Sequence, residues 1–195
     1  MQVTRDTEHC GTTALIRLLS VQPRTGGLEG AIVSLDGTNL PNTDPTVLPL
    51  IIDNRRCAFS PLVSVGRVGQ PLELRNDDPI MHNTHLKRDS RTFLNVALVP
   101  AGRPVRKIFS QPGIYSVACD AHKFMTAHVV VFSHPYASLT DTDGTFLIPH
   151  LPPGTYTISV WHNTLGTLRR TVEIPLHGDA TLTIEYPVEA ESHGQ

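Results

Sequence analysis

Charge is scarce in this chain. Asp, Glu, Lys and Arg make up only 17% of its 195 residues, too few for a coiled coil or a solvated, disordered polymer. Long hydrophobic runs are missing as well. No stretch approaches the roughly 18 consecutive apolar residues of a membrane-spanning helix, so no helical span is expected. A formal net charge of −2 gives no overall attraction to nucleic acid. Residues 1–11 are polar and lack the basic-then-apolar pattern of a secretory leader. Helical periodicity is poor throughout. Cysteine is sparse too, with three residues, and an odd number requires an account of the unpaired thiol.

What is present points to β-structure. Apolar residues make up 39% of the chain, enough for an ordinary core, and the length allows one large domain or two small ones. Apolar positions alternate or fall in short runs, with turn residues about every 8–12 positions, the spacing of an all-β sandwich or barrel. Strands are predicted at 13–19, 31–35, 48–53, 62–65, 71–75, 105–109, 113–118, 128–132, 145–148, 155–161, 168–174 and 181–186. Asp36-Gly37, Asp143-Gly144, Pro112-Gly113 and Pro152-Pro153-Gly154 punctuate them with residues suited to tight turns. The charge total also conceals a division. Residues 51–133 hold eleven Lys and Arg against six Asp and Glu, a net +5, whereas the remainder nets −7. A basic middle between acidic flanks suggests two folding units and an acidic partner surface.

The chemistry concentrates in Cys119-Asp120-Ala121-His122-Lys123-Phe124-Met125. A thiolate, an imidazole and a thioether at i, i+3 and i+6 share one short loop between two predicted strands. Soft sulfur with imidazole selects copper, and two His with one Cys and a weak axial Met form an electron-transfer copper site. A second imidazole is needed. The segment Asn76-Asp77-Asp78-Pro79-Ile80-Met81-His82-Asn83 offers His82. Zinc accepts Cys and His too, but structural zinc sites seldom use Met. From these residues alone, a buried cysteine beside two hydrogen-bonded histidines stays open as the plainer account.

Here the sequence resembles the cupredoxins, the blue (type 1) copper family, over residues 50–133. The match lies in an upstream N-x-D…H-N pattern, a downstream C-x2-H-x2-M loop, and the stretches Phe59-Ser60-Pro61 and Gly69–Leu74. The short ligand loop looks amicyanin-like. The resemblance implies one copper ion, with His82, Cys119 and His122 as equatorial ligands and Met125 as the axial one. It also implies that Asn83 braces the two ligand loops, that Phe124 and Met81 shield the metal or form an apolar docking patch, and that electrons leave through a solvent-near edge of His122. His85 points to the opposite face of an extended segment from His82, so it is expected behind the ligands or at the surface and not as a ligand. His128 and His134 are expected at the surface.

The flanks carry a second resemblance. Gly30–Leu35, Thr140-Asp141-Thr142-Asp143-Gly144-Thr145-Phe146 and Leu151-Pro152-Pro153-Gly154-Thr155-Tyr156 are similar to the carboxypeptidase regulatory-like module, a transthyretin-like β-sandwich. The implied fold is all-β: a Greek-key cupredoxin sandwich (50–133) inserted into a discontinuous transthyretin-like sandwich (12–49 and 134–187), with tails 1–11 and 188–195. The combination resembles secreted methylamine-utilisation-like or plastocyanin-like copper proteins. If Cys119 binds copper, Cys10 and Cys57 are left to form a disulfide tying the two units together. That favours an oxidising compartment, periplasmic or extracellular, with a leader removed.

The expected function is one-electron transfer with a redox protein partner, with Lys123, Lys87 and Arg88 steering an acidic docking surface. A copper carrier is the alternative. Trp161-His162 is expected as a core aromatic followed by an interface imidazole. No H-x-H pair of a multicopper oxidase and no H-x-x-E zinc-peptidase motif occurs, so an enzyme is not expected.

Overall fold

A computed structural model describes residues 1–16, 18–37 and 48–187. Positions 38–47 of the expected 12–49 segment, and the tail 188–195, lie outside the described residues. The chain is almost wholly β. A single turn of helix, α1 (Thr7–Cys10), precedes β1 (Ile32–Leu35), β2 (Leu50–Arg55), β3 (Ala58–Ser60), β4 (Val63–Arg67) and β5 (Pro71–Asn76). Then come β6 (His82–Arg88), β7 (Arg91–Leu98), β8 (Val105–Ile108), β9 (Gly113–Ala118) and β10 (Thr126–Phe132). The last strands are β11 (Ala137–Leu139), β12 (Gly154–His162) and β13 (Gly166–Ile174).

Three sheets result, ordered β4-β10-β9-β6-β7, β3-β2-β5-β8 and β11-β1-β12-β13. The pairs β2–β5 and β4–β10 are parallel and the others antiparallel. The first two sheets share one core. Period-two alternation sends Leu72 and Leu74 of β5, Tyr115 and Val117 of β9, and Val129 and Val131 of β10 into it. Phe93, Phe109 and Tyr115 close that core as an aromatic cluster with centroids 5.0–5.6 Å apart.

The third sheet has its own core of Ala31, Val33, Leu35, Tyr136, Ile158, Val160 and Val172. β1 is one of its two inner strands and is buried along its whole length. Gly27 and Gly144 let two distant loops touch there. A Cβ at Gly27 would lie 1.9 Å from the carbonyl oxygen of Asp143.

Several expectations differ from the structure. The hairpin β6–β7 was not anticipated, because Asp89-Ser90 at its tip carries no glycine although both residues take positive φ. The segments 145–148 and 181–186 form no ladder. Phe146, Ile148, Leu182, Ile184 and Tyr186 instead pack their side chains onto the edge of the third core. Tyr186 is fixed by its hydroxyl, whose single hydrogen is shared between the carbonyls of Val160 and Gly166. Of the described residues in 13–19, only Thr13 takes part in a β-bridge, an isolated one to Gln2.

Candidate metal centre

The ligand candidates sit at one end of the first core. β9 delivers Cys119 one residue past its last position, and β10 begins immediately after Met125. The loop between them is closed twice: the Met125 N–H donates to the His122 carbonyl at 2.9 Å, and the Cys119 N–H donates to the Met125 carbonyl at 3.2 Å. Three donor side chains therefore ride on one short loop held at both ends. The second loop is pinned by Asn76, whose amide donates to the carbonyls of Ile80 (2.9 Å) and Leu98 (2.8 Å) and accepts from the Asp78 N–H (3.1 Å). This turn starts β6 at His82.

His82, Cys119 and His122 converge, their ligand atoms all within 4.8 Å of one another. Cys119 Sγ lies 3.5 Å from His122 Nδ1 and 4.0 Å from His82 Nδ1. None of the three is more than 1% exposed, and Met125 beside them is equally buried. Each imidazole turns its other nitrogen to a carboxylate. His82 Nε2 meets Asp78 Oδ2 at 2.8 Å, and His122 Nε2 meets Asp6 Oδ2 at 2.9 Å. A carboxylate can only accept, so both Nε2 atoms carry a proton, and in the neutral imidazole this leaves the Nδ1 lone pair facing the sulfur. That is a converging N,N,S donor set, which fits a thiophilic metal.

The electrostatics agree with a neutral His82. Burial holds the His82 imidazole below its ordinary value, overcoming the opposite pull of Asp78. Burial alone would raise the Asp78 carboxyl. The N–H groups of Cys57 and Arg56, with His82 and His9, outweigh it and hold the carboxyl below the usual range. Those two N–H groups come from the β2–β3 turn, where Arg56 and Cys57 both adopt left-handed backbone. A second cluster, His9, Cys57 and Asp78, also gathers near this turn. Its sulfur is not available as a ligand, because Cys57 is bonded to Cys10.

No protein-family model and no curated protein matches the chain. Solved structures overlap it in part. A copper-containing nitrite reductase from Thermus scotoductus SA-01 is 22% identical over 51% of this chain and 25% of its own, with a TM-score of 0.41. A reduced amicyanin variant is 20% identical over 43% of this chain and 81% of its own (TM-score 0.39). A purple cupredoxin from Nitrosopumilus maritimus is 26% identical over 38% and 81% (TM-score 0.34). The chain spans about a quarter of the nitrite reductase's length. These overlaps are partial, and the functional reading rests on the donor set itself.

Around that set, Asn83 accepts from the Asp120 N–H (3.2 Å) and donates to Asn95 (2.6 Å), linking β6, β7 and the ligand loop. Phe124 is half-buried, with its ring edge-on to His122 at 5.8 Å. Met81 is exposed. His85 points away from the cluster and pairs with Asp120 and Thr92, holding the Asp120 carboxyl below its usual range.

Several placements correct the sequence reading. The His122 edge is not near solvent: the residue is 1% exposed and Asp6 covers Nε2. His134 is buried, and His128 is half-buried against Trp161 with ring centroids 5.7 Å apart. The half-buried Trp161 makes this contact between sheets, while the His162 imidazole is buried and accepts the Thr164 N–H of the following turn. Lys123 is exposed on the ligand loop, but Lys87 and Arg88 lie at the far end of β6, about 17–20 Å from His82 along the strand. The residue that sequence reasoning missed is Asp6. It is 116 positions from His122 and belongs to no motif. The pairing of Cys10 with Cys57 is the only sequence signal that brings its segment near.

Proposed function

We propose that the chain is a mononuclear copper protein that passes single electrons to and from a redox protein partner, and that it is not an enzyme. Residues 50–133 would form the copper-bearing unit of cupredoxin type. Residues 12–49 and 134–187 would form a transthyretin-like scaffold that holds it. The observation that carries this reading is the buried convergence of His82 Nδ1, Cys119 Sγ and His122 Nδ1 beside Met125. Bound there, copper would supply a one-electron couple between its cuprous and cupric states.

The chain's own residues supply the rest. Cys119 and the two imidazoles would be the strong ligands, and Met125 would add a weak thioether donor. Asp78 and Asp6 fix the rotation and tautomer of the imidazoles. The doubly closed 119–125 loop, braced by Asn83, keeps the donor positions constant between oxidation states. Burial of all four ligand candidates would keep water from a bound metal. The exposed Lys123 supports a partner with acidic groups at its contact face. The Cys10–Cys57 disulfide supports a periplasmic or extracellular location.

The test is spectroscopic. The Cu(II)-loaded protein should show an intense visible thiolate-to-copper charge-transfer band and a reversible voltammetric wave. A colourless copper-loaded protein, or a Cys119→Ser variant that keeps the band, would sink the proposal. Rapid loss of copper to a competing chelator without a reversible wave would indicate a carrier.

A further inference from the structure

We propose that Asp6 is a positioning residue for His122, delivered to the metal centre by a disulfide-anchored N-terminal strap that closes the centre's outer edge. This rests on the copper reading for its purpose, but its geometry stands apart from it.

The strap is a built element. Its ends pair with one another: the Val3 N–H donates to the Thr12 carbonyl and the Ala14 N–H to the Met1 carbonyl, both at 2.9 Å. Val3 is buried. Between these ends, α1 is stapled by Cys10 to Cys57, and His9 lies 3.4 Å from Asp78. The strap is therefore fixed to the same β2–β3 turn whose N–H groups hold Asp78, and through Asp78 to His82.

At the other side of this anchor, Asp6 aims its carboxylate at His122 Nε2. Its backbone is left-handed, with φ 52°, a conformation that few residues other than Gly, Asn and Asp adopt readily. Its carbonyl accepts from the His9 and Cys10 N–H groups. Both backbone and side chain are thus specified.

The two imidazoles consequently receive the same treatment from different sources. Asp78 holds His82 from four residues away within one loop, whereas Asp6 holds His122 across 116 residues. Without Asp6, His122 Nε2 would have no acceptor among the hydrogen bonds described, and its ring edge would lose its cover. A histidine whose Nε2–H is given to a carboxylate keeps its lone pair on Nδ1 and becomes a stronger donor there.

The left-handed backbone supplies a clean perturbation. Asp6→Gly removes the carboxylate while tolerating φ 52°, and Asp6→Asn keeps a carbonyl oxygen able to accept the same bond. In the metal-free full chain at neutral pH, with the disulfide intact by thiol count, long-range nitrogen NMR should show His122 in the Nε2–H tautomer. Asp6→Gly should lose that single tautomer, and Asp6→Asn should retain it. Competition with a chromophoric Cu(I) chelator should show affinity falling about 10–100-fold in Asp6→Gly, with most of the loss restored by Asn.

Unchanged tautomer and affinity in Asp6→Gly would overturn the proposal, as would an Asn variant that falls as far as Gly. If the unaltered protein holds no Cu(I), the copper reading fails, and the metal-free NMR comparison still decides the role of Asp6.

Discussion

Replacing both Cys10 and Cys57 with Ser tests how far the strap depends on its staple. The bridge spans 47 residues. Opening a loop of that size returns conformational freedom to the denatured chain worth about 4 kcal/mol at 25 °C. With a urea dependence of about 1–3 kcal/mol per molar, the unfolding midpoint should fall by roughly 1.3–4 M. The assay is available within the chain. Its single tryptophan, Trp161, lies edge-on to His128 where the third sheet meets β10, and it will report loss of that contact by fluorescence. Measurements on the metal-free protein, with Cys119 unchanged, separate the staple from the donor set. A midpoint shift below about 0.3 M, less than 1 kcal/mol, would refute the reasoning and mean that the strap is held by its other contacts.

Three further outcomes are expected. Asn76→Ala should leave the carbonyls of Ile80 and Leu98 without their donor, costing about 1–3 kcal/mol for each buried group orphaned, measured by chemical denaturation. Asp53 is raised to about 6, first by burial and then by its bond to Asp77. A carboxyl whose folded value is raised stabilises the fold when protonated, so its contribution is present below about pH 4 and is lost as the pH rises through 6. Melting temperatures of the protein and its Asp53→Asn variant should therefore diverge across pH 4–6, with the unaltered protein losing ground. A constant difference across that window would contradict this. Gly27→Ala should cost about 1–3 kcal/mol, because its methyl would meet the Asp143 backbone, and thermal unfolding will show it.

The legible part of this molecule is the part whose chemistry constrains residue type at short range. Cys119, His122 and Met125 share one loop, and a thiolate beside an imidazole and a thioether has few other uses, so sequence alone pointed to their convergence. His82 was found because the segment containing it follows a strand that reads plainly, Pro71–Arg75. The β6–β7 hairpin was hidden because two of the three buried positions in β6, His82 and Thr84, are polar, which leaves no apolar alternation to read, and its Asp89-Ser90 tip resembles any charged loop. Strands anticipated near Leu15 and Leu18 failed because those side chains stay exposed and have no sheet to join. Asp6 was invisible for a different reason. A hydrogen bond spanning 116 residues leaves no local pattern, and one aspartate in a polar terminus looks like every other.

The position of β1 has a consequence for the order in which this chain folds. β1 pairs with β11, Ile32 opposite Leu139, so this inner strand of the third sheet must find a neighbour more than a hundred residues away. In an unstructured chain, closing such a loop costs about 4 kcal/mol of chain entropy, against about 2.7 kcal/mol for a loop of twenty. Strands β2 to β10 lie wholly within that interval and bring its two ends together when they form. The β12–β13 hairpin can assemble locally at any time. The expected slow event is the entry of β1 between β11 and β12, after collapse of the intervening strands. Destabilising the core around Leu72 and Phe109 should therefore retard completion of a sheet that contains neither residue.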